Sequence, residues 1–279
     1  MPLEDIEKTR DIDKIPERPS GSPFRHVIFR NIWAASLLSN FGGLIQSVGA
    51  AWLMATISQS ADMVALVQAS TTLPIMLFSL VAGALADNFE RRTMMIAAQM
   101  FLLAVAAVLT IVAWSGEMTP WLLLFFTFMV GVGTAFNGPV WQSLVGEMVP
   151  RADLPAAIAL NSVGFNIARS VGPAIGGMIV ATWGAVAAFA VNCLTYLWLI
   201  GVLLRWRPPK PERLLPPEGL IDAMGAGVRY VAMSPTILSV LLRSTIFGLG
   251  GAALQSLLPL VARDLIGGGP LTYGVLLGA

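Results

Sequence analysis

Five stretches of this chain run on without a single charged side chain: Asn31 to Ala61, Met63 to Ala86, Thr93 to Trp114, Met118 to Gly146 and Ser170 to Leu204. About 18–20 apolar residues suffice for one helical crossing of a bilayer, so each of the first four predicts a membrane-spanning helix. The fifth is too long for one crossing and must turn, and Thr182-Trp183-Gly184 is the expected place. The preceding stretch from Leu154 through Arg169 completes the first half of that pair, giving helices five and six. Pro235 to about Leu258 predicts a seventh, and Tyr273 to Ala279 the opening of an eighth. These runs lack the inward-polar alternation of membrane strands, and backbone groups in lipid must be bonded within their own segment. The expected fold class is therefore an all-α polytopic membrane protein.

The rest of the composition narrows the chemistry. Charged residues make up 12% of the chain, about half the share of a soluble domain. One cysteine, Cys193, forms no internal disulfide, and one histidine, His26, assembles no metal cluster. A net charge of +1 implies no nucleic-acid partner. The run Gly267 to Gly269 is followed by proline and lacks the lysine of a phosphate loop, so neither nucleotide nor other cofactor is expected.

Lysine and arginine alternate across the connections. Arg25 and Arg30 precede helix one, Arg91 and Arg92 lie between helices two and three, Arg151 follows helix four, and Arg205, Arg207, Lys210 and Arg213 follow helix six. The intervening connections carry none, which predicts a cytoplasmic amino terminus. Residues 1–23, charged and proline-rich without an apolar core, read as a disordered cytosolic tail and not as a cleaved leader. Residues 24–204 then form a six-helix bundle and 205–233 a cytosolic linker with an amphipathic helix. Residues 234–279 begin a second bundle, incomplete on this reading. A faint likeness between "LLSNFGGLIQS" and "LLRSTIFGLGGAALQS" suggests two halves related about the membrane normal.

Two motifs carry a family resemblance. "GALADNFERR", with Gly83, Asp87, Arg91 and Arg92 at the cytoplasmic end of helix two, resembles the G-x-L-x-D-x-x-x-R-R/K loop of the major facilitator superfamily. "NIARSVGPAIGG" in helix five, with Arg169, Gly172, Pro173, Gly176 and Gly177, resembles the pattern of its exporters, with Ala168 at a position usually glycine. The chain from about Phe24 onward is most similar to the branch containing siderophore and macrolide exporters.

That resemblance implies a major facilitator fold and alternating access between two bundles. Asp87 and the loop arginines would latch the cytoplasmic gate, with Arg91 or Arg92 pairing to Glu147 at the end of helix four. It further implies a monomer when full length, in a bacterial inner or plasma membrane, exchanging a small-molecule substrate for protons as an antiporter. No enzyme is expected, because clustered His, Cys, Asp or Glu within the spans is absent. A metabolite importer and an inactive half-transporter fragment stay open as alternatives.

Cavity-lining candidates come from polar residues at helical spacing. Ser36, Asn40, Gly43 and Ser47 share a face of helix one; Thr134 and Asn137 share one on helix four, with Trp141 a turn further and Gln142 beside it. Ser162, Asn166 and Arg169 make a stripe on helix five. Arg169 stands out, because an arginine near the bilayer centre costs at least about 2.5 kcal/mol unless it meets water or a partner. Trp33, Trp114, Trp121 and Trp183 are expected at the membrane interfaces. None of the first six spans holds an internal aspartate or glutamate, so no carboxylate for proton coupling is visible within them.

Overall fold

The charged and proline-marked breaks become helix ends in the computed structural model of the protein. It describes residues 22–207, 225 and 229–279, apart from the side chains of residues 87, 88 and 249. The expected tail over residues 1–23 lies almost wholly outside the described residues, as does most of the linker, with any helix in it.

A short 3-10 turn, Pro23–Arg25, leads into α1 (Val27–Ile57), α2 (Ala61–Asn88), α3 (Arg91–Ser115) and α4 (Pro120–Met148). The helical segment Leu154–Arg205 breaks at Gly184, whose φ of 80° and ψ of 172° only glycine adopts readily. That residue is the expected turn, and it divides the segment into α5 (154–183) and α6 (185–205). After the linker come α7 (Pro235–Leu260), a π-helical turn (Val261–Leu265) and α8 (Pro270–Gly278). Proline opens α4, α7 and α8, where its missing N–H costs nothing. The Thr119 hydroxyl caps α4 by accepting from the Leu122 amide.

Among the described residues, Ala61–Ala86, Arg91–Ser115, Pro120–Met148 and Pro235–Leu265 are each long and apolar enough to cross a membrane. Arg151–Arg205, at 55 residues, has the length for two crossings. The protein is thus a multi-pass helical membrane protein. Short links make successive helices antiparallel, so α1 runs from what is here called the near end to the far end.

Lipid tails are as apolar as leucine, so membrane helices associate through close packing of small residues rather than a hydrophobic drive. α1 is wedged between α5 and α6 in this way. A Cβ built on Gly172 would lie 3.1 Å from Leu44, and one on Gly176 would lie 3.0 Å from the Ile45 backbone, both on α1. On its other side Gly42 leaves room for the side chains of Asn192 and Thr195, and Gly49 for Ala188 and Phe189 of α6. α2 and α4 meet where Gly131 faces the Thr71 carbonyl and Pro74.

Two apolar clusters close the bundle at its ends. The near one joins Phe29, Met95, Leu144, Ala157, Leu203 and Trp206. The far one joins Met54, Val64, Leu109, Leu123 and Phe189. His26, 2.9 Å from Asp153, ties the start of α1 to the start of α5. Trp114, Trp121 and Trp183 are exposed at far helix ends, as membrane anchors would be. Trp33 is not: its ring packs on Phe24 and beside Gly164, and its indole N–H donates to the Leu160 carbonyl.

Candidate functional site

Between the two apolar clusters lies a layer of amides. Asn192 on α6 and Gln46 on α1 are 0% and 4% exposed, and the Asn192 Nδ2 donates to Gln46 Oε1 at 2.6 Å. Gln99 on α3, 1% exposed, donates through Nε2 to Asn137 Oδ1 on α4 at 2.9 Å. Among the described residues its own Oε1 has no hydrogen-bond partner. A buried acceptor in that state is costly, typically by about 1–3 kcal/mol, so such atoms call for a functional or solvent explanation.

Gln46, Gln99 and Asn137 front a cavity of about 420 Å³, within the range of small-molecule sites. Asn40, Ser47, Asn137 and Arg169 line it, with Gly43 and Thr134. The periodicity of α1 and α4 made those positions legible. Gln142 and Asn166 do not line it. Trp141 turns into the core instead, its indole donating to Asn161 Oδ1 at 3.1 Å, which leaves Gln142 exposed on the adjacent face. Asn166 is also exposed and folds back on its own helix, donating to the Ser162 carbonyl. Further lining residues are Gln46, Gln99 and Tyr196 from the first six helices and Gln255 and Tyr273 from α7 and α8. Gln46 and Gln99 carry polar side chains inside the apolar runs of α1 and α3, a signal present in the sequence.

At the near end Arg91 Nη1 donates to Glu147 Oε1 at 2.9 Å and points to the Ser143 carbonyl at 3.4 Å. Arg92 goes elsewhere: it donates to the carbonyls of Leu203 and Leu204, where the exposed end of a helix dipole favours a cation. Among the described residues nothing lies within 4 Å of a Cβ built on Gly83. The Asp87 side chain, the centre of the expected latch, lies outside the described residues. Because Arg91 and Glu147 are 35% and 23% exposed, their pair is worth only about 0–1 kcal/mol. Arg91→Glu is expected to lower thermal stability slightly, and the double exchange Arg91→Glu with Glu147→Arg to restore it, as read by thermal unfolding.

The helix-five motif divides its small residues between two neighbours. Gly172 and Gly176 admit α1, whereas Gly177 sits against α8, a built Cβ lying 2.5 Å from the Pro270 carbonyl and 3.0 Å from Leu271 Cα. Gly274 and Gly278 of α8 in turn abut the carbonyls of Pro173 and Ser170. Nearby, Arg263 donates to the Ala55 carbonyl at the end of α1, and Tyr273 stacks on Trp52. These contacts run from the far end, at Ala55 and Arg263, down to the middle of α5 at Ser170. Along α7 the described side chains from Leu238 to Gln255 are exposed, so that helix stands off from the bundle over its near half.

Six antiparallel helices around a polar-layered cavity, closed at one end by the first helices of another group, define a protein of the major facilitator class. The chain belongs to the transmembrane secretion effector family of that superfamily, which it matches over residues 19–279. It is similar to macrolide efflux protein A of Streptococcus pyogenes, with 25% identity over 250 residues, 88% of this chain and 62% of that protein. The multidrug efflux pump Tap of Mycobacterium tuberculosis shares 28% identity over 206 residues, 71% of this chain and 49% of its own length. The chain therefore spans about half to two thirds of the length of these relatives. Its fold matches that of a bacterial homologue of the human lysosomal transporter Spinster, with a TM-score of 0.70 at 18% identity over 92% of this chain and 59% of that one. The named relatives are transporters and pumps, which places the chain in a transport family and outside the enzymes.

Proposed function

We propose that the protein is a secondary active exporter of small amphipathic compounds, drug-like or siderophore-like, that binds its substrate in the central cavity and moves it by alternating access. The observation that carries this reading is the asymmetry around the cavity. α8 and the end of α7 are seated on α1 and α5 at the far end, while the near half of α7 stands clear.

The near face carries Arg25, Arg30, Arg91, Arg92, Arg151, Arg205 and Arg207. That excess supports a cytoplasmic near side and a cytoplasmic amino terminus, in the inner or plasma membrane of a bacterium. The efflux relatives support direction out of the cell; coupling to protons and a monomeric working unit are part of the proposal, carried by the resemblance of the two helix motifs to the superfamily's exporters. Arg91, Glu147 and Asp87 are proposed to steady the near gate when it closes. Expressed from its whole reading frame in a bacterial host stripped of its own exporters, the protein is expected to lower accumulation of fluorescent amphipathic dyes. A protonophore is expected to erase that difference. Equal accumulation with and without the protein would overturn the reading.

A further inference from the structure

The charge of the cavity lining is lopsided. Among the described residues that line it there is one ion, Arg169, and no aspartate or glutamate. The described carboxylate side chains are Asp62, Glu90, Glu117, Glu147, Asp153 and Asp264, none of them a lining residue. Arg169 sits midway along α5 (154–183), about 20 Å from either end at 1.5 Å per residue. Its side chain is exposed, and no described residue pairs with its guanidinium. Four residues on, Pro173 has no N–H to give back to the Arg169 carbonyl, so the backbone there is polar as well. The other polar groups of the lining are neutral amides and hydroxyls, and most of the rest is apolar.

A guanidinium is charged at every physiological pH and presents a planar fork that fits a carboxylate, sulfonate or phosphate with two parallel hydrogen bonds. With no carboxylate among the described lining residues, it favours an anion and disfavours a cation. We propose that the cavity selects amphipathic organic anions, with Arg169 gripping the acidic group and the apolar walls taking the hydrocarbon part. The proposal rests on the cavity being the substrate site and adds the class of substrate. Lipophilic amines are the class it turns away.

Three probes sharing one fluorophore test it: dansylglycine, which is an anion, its neutral amide, and dansylcadaverine, which is a cation. Binding is followed by dansyl fluorescence to the protein in nanodiscs, with empty nanodiscs subtracted, and efflux is measured separately in proteoliposomes. The wild type is expected to bind the anion about tenfold more tightly than the amide, as a charge-assisted hydrogen-bonded pair provides. The cation should bind more weakly still. Arg169→Gln is expected to erase the difference between anion and amide, and Arg169→Lys to keep part of it.

Equal affinities across the three probes in the wild type, preference for the cation, or binding of none would each overturn the proposal. So would an anion preference that survives Arg169→Gln. The wild-type comparison needs no variant, so it decides even if Arg169→Gln fails to fold. Anion-selective binding without efflux of any probe would uphold the selectivity and sink the transport reading.

Discussion

Replacing Gly177 by leucine is expected to pry α8 off α5 and open the far end of the cavity. A Cβ at this position already lies 2.5 Å from the Pro270 carbonyl and 3.0 Å from Leu271 Cα. Both are backbone atoms, so no rotamer of a neighbour can make room and one helix must move. Overpacking of this kind costs about 1–3 kcal/mol, which corresponds to a shift of about 5–150-fold between two states that differ in the contact. The readout is a cysteine placed at Ala51, a cavity-lining position in the far half of α1, in a background with Cys193 replaced by serine. Labelling by an impermeant maleimide from the far side is expected to be slow in the parent and at least about fivefold faster with Gly177→Leu. Even Gly177→Ala should act in the same direction. Gly201→Ala is the control, because nothing lies within 4 Å of a Cβ there. It should leave labelling unchanged. Unaltered labelling in Gly177→Leu would show that the α5–α8 seam does not hold the far end shut.

That seam also marks the limit of what could be read from residue order. The number and ends of the helices were legible because charge, proline and glycine punctuate long apolar runs, and Gly184 divided the longest of them where one crossing had to stop. The lining of α1 was legible because Asn40, Gly43 and Ser47 repeat at helical spacing. Rotation about each helix axis was harder to read wherever two polar residues are adjacent. On α4 the run Trp141-Gln142 offers two faces, and the larger ring took the buried one by bonding Asn161. On α5 the polar residues Ser162, Asn166 and Arg169 keep helical spacing, yet Arg169 lines the cavity while Asn166 bonds its own backbone. Gln99 is hard to single out because one amide within α3 has no periodic partner; only the approach of Asn137 from α4 shows its role. The division of labour between Gly176 and Gly177, one facing α1 and the other α8, depends on contacts between segments far apart in the chain.

Asn192→Leu is expected to be the most destabilising change within the amide layer, and a double substitution should reveal why. Asn192 is fully buried and donates to Gln46 Oε1 at 2.6 Å, while its own Oδ1 receives the Thr195 hydroxyl at 3.1 Å. Replacing it strands Gln46, 4% exposed, whose acceptor loses its donor. An intact pair in a membrane bundle contributes only about 0.6 kcal/mol on average, but a buried polar group left without its partner costs about 1–3 kcal/mol. Most of the loss therefore comes from the stranded Gln46, and removing its amide should restore stability. Gln46→Leu in the Asn192→Leu background is thus predicted to regain most of the loss, even though it deletes a second polar side chain from the core. Unfolding in detergent, monitored by heat or denaturant across the four proteins of the cycle, measures the coupling directly. Additive losses would mean that the two amides act independently. In that case Gln46, which lines the cavity, would serve a ligand rather than its neighbour.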